Sequence, residues 1–381
     1  MAASRGVRHD SMRARNLAVV LQAIHGSGPL TRAGLAELTG LTKTTVSSLV
    51  GALLEAGAAT ETGQVRDGER GRPGVAVELS GHRVAALGLE VNIDYLAACV
   101  VDLTRSVRLR RTRPADNRSS DPADVLQRLR DLVKETTAEA EAAGLRIIGA
   151  ALAVPGTVEG DLLRSAPHLG WRDVRVADLL DLPCAIDNEA NLAALGELWF
   201  GSGATDFLYV SGEIGIGAGL VVDGTVFRGT YGLAGELGHV VVVPDGPACR
   251  CGGHGCLEAY AGQDALLGEL ESVPELVAAI EAGDRRALEA CERAGDALGV
   301  ALTSAVHLLD PGRIVLGGIF APLFPWLESP VAEALTARLR QMRGTPPALT
   351  VSANGADGAV LGAAGMVIQR VIADPAEVLG L

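Results

Sequence analysis

Within the stretch CRCGGHGC, residues 249–256, three of the chain's six cysteines fall at the spacing Cys249-x-Cys251-x4-Cys256, separated by glycines. Cysteines this close in a chain with no secretion signal mark a metal site more readily than a disulfide framework. A tetrahedral ion such as zinc wants four nitrogen or sulfur ligands. Three thiolates are local, and His239 in GELGHVVV lies ten residues ahead of Cys249. The intervening VVVVPDGPA reads as a strand and turn able to bring the imidazole back to the thiolates. Gly252, Gly253 and Gly255 allow the backbone to wrap tightly around an ion. Unmetallated core cysteines are the competing reading, but Arg250, His254 and the glycines are poor core material. A closed three-thiolate, one-imidazole set with no free position is structural rather than hydrolytic.

That loop also brings carboxylates together. Glu236 precedes His239 by three residues, and Glu258 follows Cys256 by two. A metal would fix both along one wall of a cleft. A ligating histidine keeps its second ring nitrogen for another partner. Two carboxylates and an imidazole suit the hydroxyls of a sugar.

The other cysteines, Cys99, Cys184 and Cys291, stand singly in apolar or helical contexts and read as small core residues in a reducing cytoplasm. No apolar signal region opens the chain, and no apolar run is long enough for a membrane span. The 381 residues call for two or three domains. Charge is uneven: residues 1–80 carry nine Lys/Arg and seven Asp/Glu, so of the net −13 the remainder holds −15. An acidic body with a mildly basic head fits a nucleic-acid contact confined to the head.

The head spells three helices. Residues 14–25 place Leu17, Val20, Leu21 and Ile24 on one face. After GSGP, Thr31 caps a short second helix, Gly40 makes a turn, and Thr42 caps a third with Val46, Leu49, Val50, Leu53 and Leu54 inward. Asp67-Gly68, Gly71 and the alternating VAVEL that follows read as a β-hairpin. Three helices and a hairpin make a winged helix-turn-helix. The third helix then turns Lys43, Thr44, Ser47 and Ser48 outward, with Thr42 and Thr45 at its start, as a major-groove reader would. The hairpin adds Arg66, Arg70 and Arg72 for phosphate or the minor groove.

From Arg83 onward the pattern is α/β: three strands, a helix over 122–143, a buried strand IIGAALAVPG, then strand and helix in PCAIDNEA running to about Phe200. FLYVSGEIGIGAGLVVDGTVFRG is strand, glycine-rich turn, strand. The last third reads as helical, interrupted by the single strand RIVLGG. This βββαβαβ order, met twice, resembles a two-lobed, duplicated ribonuclease-H-like (actin-like ATPase) fold with a cleft between the lobes. The expected domains are 1–80 for the DNA-binding head, 83–190 for the first lobe and 191–381 for the second. The last helix is free to pack back on the first lobe.

The segment GTYGLAGELGHVVVVPDGPACRCGGHGCLEAYA is similar to the signature of the ROK family of bacterial sugar kinases and sugar-responsive repressors. The likeness runs from about residue 14 to 370. It implies structural zinc on His239, Cys249, Cys251 and Cys256, and sugar contacts from Glu236, His239 and Glu258. IDNEANLAALGE resembles the family's sugar-binding segment and puts Asn188 and Glu189 at the sugar; VPG, with Pro155 and Gly156, resembles the loop that closes over it.

Against the kinase branch the chain departs three times. Where a phosphate loop Asp-x-Gly-Gly-Thr is expected, it reads GLEVNIDY, with Glu90 followed by Val91, Asn92 and Ile93, whose side chains block backbone approach to phosphate. The base position after Asn188 holds Glu189 instead of aspartate, a displacement of about 1.5 Å, and a misplacement of about 1 Å can cost roughly 10²-fold. In SGEIGIGAG, Glu213 replaces the threonine of the second phosphate loop. Gly317 and Gly318 in VLGG still resemble the nucleotide-side turn. The free-standing kinases of the family lack the head. The expectation is a sugar-responsive regulator, a repressor that binds operator DNA as a homodimer or tetramer with no catalytic residue. The alternatives are a sugar kinase carrying a DNA-binding head, and a regulator controlled by a protein partner through a vestigial cleft.

Overall fold

The computed structural model describes residues 9–65, 74–342 and 344–381. Arg66, Arg70 and Arg72, with the Asp67-Gly68 and Gly71 turn expected from the sequence, lie outside the described residues.

The head opens with helix α1 (His9–Ser27), longer at both ends than its apolar stripe alone implies, followed by β1 (Leu30–Thr31), α2 (Arg32–Thr39) and α3 (Lys43–Ala56). Thr31 Oγ1 accepts from the Gly34 amide and Thr42 Oγ1 from the Thr45 amide, at 3.1 and 3.2 Å, so both caps form as expected. Gly40 and Gly57 end α2 and α3 at φ 70° and 77°. Strands β2 (Ala59–Val65) and β3 (Gly74–Leu79) pair antiparallel, and β1 adds to β3, giving the order β1-β3-β2.

Only residues 80–83 separate the head from the body. They are tied down by the Ser80 amide on the Ala58 carbonyl and by the Arg83 guanidinium on the Glu55 carbonyl. The first lobe comprises β4 (Val84–Val91), β5 (Tyr95–Asp102), β6 (Val107–Pro114), α4 (Pro122–Ala142) and β7 (Arg146–Val154). An excursion β8 (Thr157–Glu159), β9 (Leu162–Ala166), β10 (Trp171–Val174) makes its own small sheet before α5 (Val176–Leu180), β11 (Cys184–Asn188) and α6 (Glu189–Phe200). The second lobe begins with β12 (Phe207–Gly212), β13 (Ile216–Val222) and β14 (Thr225–Phe227). Helices α7 (Glu258–Ala261), α8 (Gln263–Leu267), α9 (Val273–Glu281) and α10 (Arg285–Leu309) follow, then β15 (Arg313–Gly318), α11 (Phe320–Leu339), β16 (Ala348–Val351), α12 (Gly358–Ala373) and α13 (Pro375–Leu379).

The sheets run β11-β7-β4-β5-β6 and β14-β13-β12-β15-β16. In each, the first three strands are antiparallel and the last two join the first in parallel, so one five-strand topology occurs twice. Strand β16 corrects the single-strand reading of the last third. ALTV is a short edge strand, half-buried at its centre, with too few residues to show alternation. The expected strand after His239 also does not form. Val241 and Val243 are exposed, and only isolated bridges, Val241 with Cys256 and Ala248 with His254, tie that segment back. Four consecutive valines read as a strand, but no neighbouring edge accepts them.

Two helices cross between the lobes. Helix α6 follows the first sheet yet packs on β13, and α12 follows the second sheet yet packs on β4, β5 and β7. They meet at glycines: a Cβ on Gly362 would fall 1.7 Å from the Leu192 carbonyl oxygen, and one on Gly196 would fall 2.3 Å from that of Gly358. The segment Gly355–Ala373 is long and apolar enough to span a membrane by composition, with 67% of it buried within the fold.

Candidate functional site

The cleft between the lobes has a volume of about 150 Å³. Every residue that the sequence assigns to the sugar borders it: Pro155, Gly156, Asn188, Glu189, Glu236, His239 and Glu258. Asn188 ends β11 and caps α6. Its Oδ1 accepts from the amides of Ala190 and Asn191, and its Nδ2 donates to the Gly156 carbonyl at 2.9 Å. One side chain thus starts the helix and fixes the Pro155–Gly156 turn. Gly156 has φ 148°, and a Cβ there would lie 2.2 Å from the Ser165 carbonyl oxygen, so only glycine fits.

The opposite wall is the cysteine loop. His239, Cys249, Cys251 and Cys256 each offer one donor atom, all within 4.8 Å of one another, a set that could hold a metal ion. Cys251 Sγ lies 3.7 Å from Cys256 Sγ, and Cys249 Sγ lies 3.8 Å from His239 Nδ1. Those edges suit a tetrahedron with metal–sulfur bonds of about 2.3 Å. His239 turns its Nε2 toward Glu236, 3.8 Å from Oε2. Glu258 Oε2 accepts from the Ile216 amide at 3.1 Å, while its Oε1 lies 4.0 Å from Cys249 Sγ. Burial pushes the Glu236 carboxyl up, with the Glu258 carboxylate adding to the rise against the His239 ring.

Sequence reasoning missed three residues that line the cleft. Arg250 and His168 line the cleft and touch at 3.1 Å, and Arg250 also donates to Asp264. Arg250 stands between two thiolates, where neighbours of ligands point away from the ion; that alternation was its signal. His168 sits in the β8–β10 excursion and carries no local signal. Asn191 is 3% exposed, and its Oδ1 has no hydrogen-bond partner. Its Nδ2 donates to Asp187, which in turn pairs with Arg228.

Beside the cleft, and sharing Glu189 with it, lies a cavity of about 10 Å³ bordered by Glu90, Glu213, Tyr209 and Gly318. Glu90, the acid kept in the first loop, and the two replacements Glu189 and Glu213 converge here. Glu90, 3% exposed, comes from β4, Glu189 from the start of α6, and Glu213 from the β12–β13 turn. Tyr95 donates to Glu90 Oε1 at 2.8 Å, whereas Glu90 Oε2 and Glu189 Oε2 have no partner. Burial pushes all three carboxyls up to about 8, with Glu213 raising Glu90, Glu90 raising Glu189, and Glu189 raising Glu213. Gly318, at φ 56°, keeps the expected turn, but Glu213 fills the space beside it: a Cβ on Gly318 would be 2.8 Å from Glu213 Oε1. Asn92, where the phosphate loop would need glycine, closes its own turn by accepting from the Asp94 amide, and Ile93 is buried.

On the head, Thr42, Lys43, Thr44, Ser47 and Ser48 are exposed along the first turns of α3, while Val46, Leu49, Val50 and Leu53 are buried. Thr45 is half-buried, its hydroxyl engaged with that of Thr42 at 2.9 Å.

The "ROK family" model matches residues 86–370. The xylose repressor of Bacillus subtilis (strain 168) is 29% identical over 372 residues, spanning 94% of this chain and 96% of its own length. The crystal structure of a ROK family transcriptional regulator, a homologue of the E. coli MLC protein, superposes with a TM-score of 0.78 at 25% identity, covering 97% of this chain and all of its own. The ROK hexokinase from Thermus thermophilus is 31% identical with a TM-score of 0.61, and covers 97% of itself but 74% of this chain. With the family pattern extending over most of the sequence and both lobes, the chain belongs to the ROK family.

Proposed function

We propose that this protein is a sugar-responsive, DNA-binding transcriptional regulator, a repressor, whose cleft takes a sugar as effector and whose phosphoryl-transfer chemistry is lost. The observation that carries the reading is the contrast between the two adjoining cavities. The wide one is bordered by amide, imidazole and carboxylate groups suited to sugar hydroxyls. The narrow one, where a triphosphate would lie, has room for about one water and is closed by three carboxyls. Anionic phosphates would meet acids there, with no backbone cradle. The similarity to repressors along the full chain, against hexokinase similarity over three quarters of it, points the same way.

Zinc is the ion that best fits the cysteine loop, in a structural role. It would tie the loop together and hold the Glu236 and Glu258 wall. His239 would then bind the ion through Nδ1 and keep Nε2 for a sugar hydroxyl. In the head, α3 would enter the major groove with Lys43, Thr44, Ser47 and Ser48 at the bases and backbone, Thr42 and Thr45 near a phosphate, and Arg66, Arg70 and Arg72 on the wing. A symmetric operator calls for a homodimer or a tetramer built as a dimer of dimers. Three unpaired thiols outside the loop fit a reducing cytoplasm. Lobe closure on the sugar changes operator affinity only to the extent that the sugar binds the two states differently.

The test is thermal unfolding of the zinc-replete full chain with D-xylose, D-glucose or N-acetyl-D-glucosamine, each with and without ATP-Mg. A sugar at about 100 times its Kd should stabilise by about 2.7 kcal/mol, and ATP-Mg should add nothing. Stabilisation by ATP-Mg, with transfer of phosphate to the sugar, would establish instead a kinase using Glu189 as its base. No response to any sugar would favour control by a protein partner.

A further inference from the structure

The functional reading leaves open how a cleft in the body could be felt by the DNA-binding head. One element touches both. Helix α6 begins at the cleft, where Asn188 caps it and Glu189 and Asn191 line the cavity. It ends twelve residues on, about 18 Å away at 1.5 Å per residue, at Trp199 and Phe200. There the Trp199 ring stacks on His25 of α1, with centroids 5.2 Å apart and planes 24° from parallel. Arg105, in the β5–β6 turn, donates to the Trp199 carbonyl at 2.9 Å and holds that end in place.

Between its ends α6 has little room to bend. Residues 190–197 are all buried. One side lies against β13 at glycines: Cβ atoms on Gly217 and Gly219 would fall 2.8 and 2.5 Å from the Ala190 and Ala194 methyls. The other side interlocks with α12 at Gly196 and Gly362. Strand β13 itself borders the cleft through Ile216, Gly217 and Ala218, so a change of lobe angle bears directly on α6. At the far end the head is not a tethered module. Leu17, Val20, Leu21 and Ile24 of α1, Val46, Leu49, Val50 and Leu53 of α3, and Leu192 through Leu195 of α6 belong to one continuous apolar core. A close-packed core transmits displacement rather than absorbing it. Helices α12 and α13 also touch α1, and they add rigidity to the same junction.

We propose that α6 is the strut that couples the cleft to the DNA-binding head, with the His25–Trp199 stack as its output contact and Asn188 as its input. Both are positioning residues for regulation. The coupling is a property of the fold and does not depend on which ligand enters the cleft.

The test is hydrogen exchange on the zinc-replete full chain, comparing wild type, Asn188→Ala, His25→Ala and the double variant. Loss of an asparagine cap should speed exchange in the first turn of α6 about fivefold. The same substitution should speed exchange over residues 17–27 of α1 by about twofold or more. With His25→Ala in place, the α1 response should vanish while the α6 response stays. Asn188→Asp, which keeps the cap, should leave α1 as in wild type. An α1 response that is absent, or equally large without His25, overturns the proposal. A second arm uses the sugars named above. Any that raises the unfolding midpoint should change tryptophan emission, and Trp199→Phe should abolish that change; persistence of the change through Trp171 or Trp326 alone counts against the strut. If no sugar raises the midpoint, the sugar reading fails and the exchange experiment alone decides the coupling.

Discussion

Replacing Glu90 by glutamine should stabilise this protein at alkaline pH and leave it nearly unchanged in mild acid. Glu90 is buried at the end of β4, with one oxygen accepting from Tyr95 and the other unpartnered. Burial first, and then Glu213, push its carboxyl from 4.5 up to about 8. Between those values the folded chain holds a proton that the unfolded chain releases, so stability falls as pH rises through that window. At 1.36 kcal/mol per pH unit the fall approaches roughly 5 kcal/mol across the window and about 3 kcal/mol by pH 7. Glutamine keeps the acceptor for Tyr95 and puts an amide where the orphaned oxygen stood, able to donate to Glu189 or Glu213. Thermal unfolding midpoints of wild type and Glu90→Gln should coincide near pH 5 and diverge above it. The variant should lead by roughly 5 °C or more at pH 8, given about 2–4 °C per kcal/mol for large domains. Titrations of groups that do not feel Glu90 cancel in the difference; Glu189, which the Glu90 carboxylate raises, comes down in the variant and adds to the gap in the same direction. Parallel curves, or a variant weaker than wild type at pH 8, would refute the reasoning and mean that the three carboxyls are satisfied in some other way.

Lys43→Ala on α3 should weaken binding to every DNA sequence about equally and lower the slope of log affinity against log salt by about one, measured by fluorescence anisotropy across a salt series. Gly362→Ala should prevent folding, because the added methyl meets the Leu192 carbonyl. Gly365→Ala, one turn on along α12 with its nearest neighbours 3.6 Å away at Phe200 and 3.7 Å at Trp199, should be tolerated; soluble yield and unfolding midpoint distinguish them. The purified chain should carry one zinc by native mass spectrometry. Stripping it with a chelator should open residues 240–257 to protease and lower the midpoint, and Cys251→Ser should do the same.

Much of the site was legible before any coordinates because its chemistry is local in sequence. Three cysteines within eight residues, a histidine ten residues earlier and two flanking carboxylates mark a wall with a set of donors that could hold a metal ion, without long-range information. The caps at Thr31 and Thr42 likewise follow from residue type and position. What stayed hidden depends on packing between distant segments. Nothing around His168 marks it as a neighbour of Arg250, 82 residues away. Strand β16 owes its existence to the free edge of β15 rather than to ALTV. The four valines after His239, by contrast, have strand propensity but no edge to pair with, and remain a loop held by two bridges. Glu90, Glu189 and Glu213 belong to three separate sequence motifs; that they share a cavity is a fact about how β4, α6 and β12 converge.

Under the proposed function, that convergence accounts for a sugar site kept beside a phosphate site that is lost. The sugar wall rests on the cysteine loop and on the Asn188 cap, each braced by its own bonds: the metal donors on one side, and the Asn188–Gly156 and α6 amide contacts on the other. The proposed phosphate side rests on two tight turns, at residues 92–95 and 213–215; Asn92, Ile93 and Glu213 make none of those bonds, while Gly215 sits against Glu258 of the opposite wall. Side chains at Asn92, Ile93 and Glu213 leave the opposite wall in place, whereas one at Gly215 would meet Glu258 Oε2 at 2.4 Å. Only Glu189 lines both cavities, because it is the first residue of α6. The acid there borders both cavities while its neighbour Asn188 still starts the helix. If α6 carries the signal to the head, a closed phosphate side has a physical benefit. With no nucleotide to accommodate, the end of α6 at the cleft answers to the sugar alone.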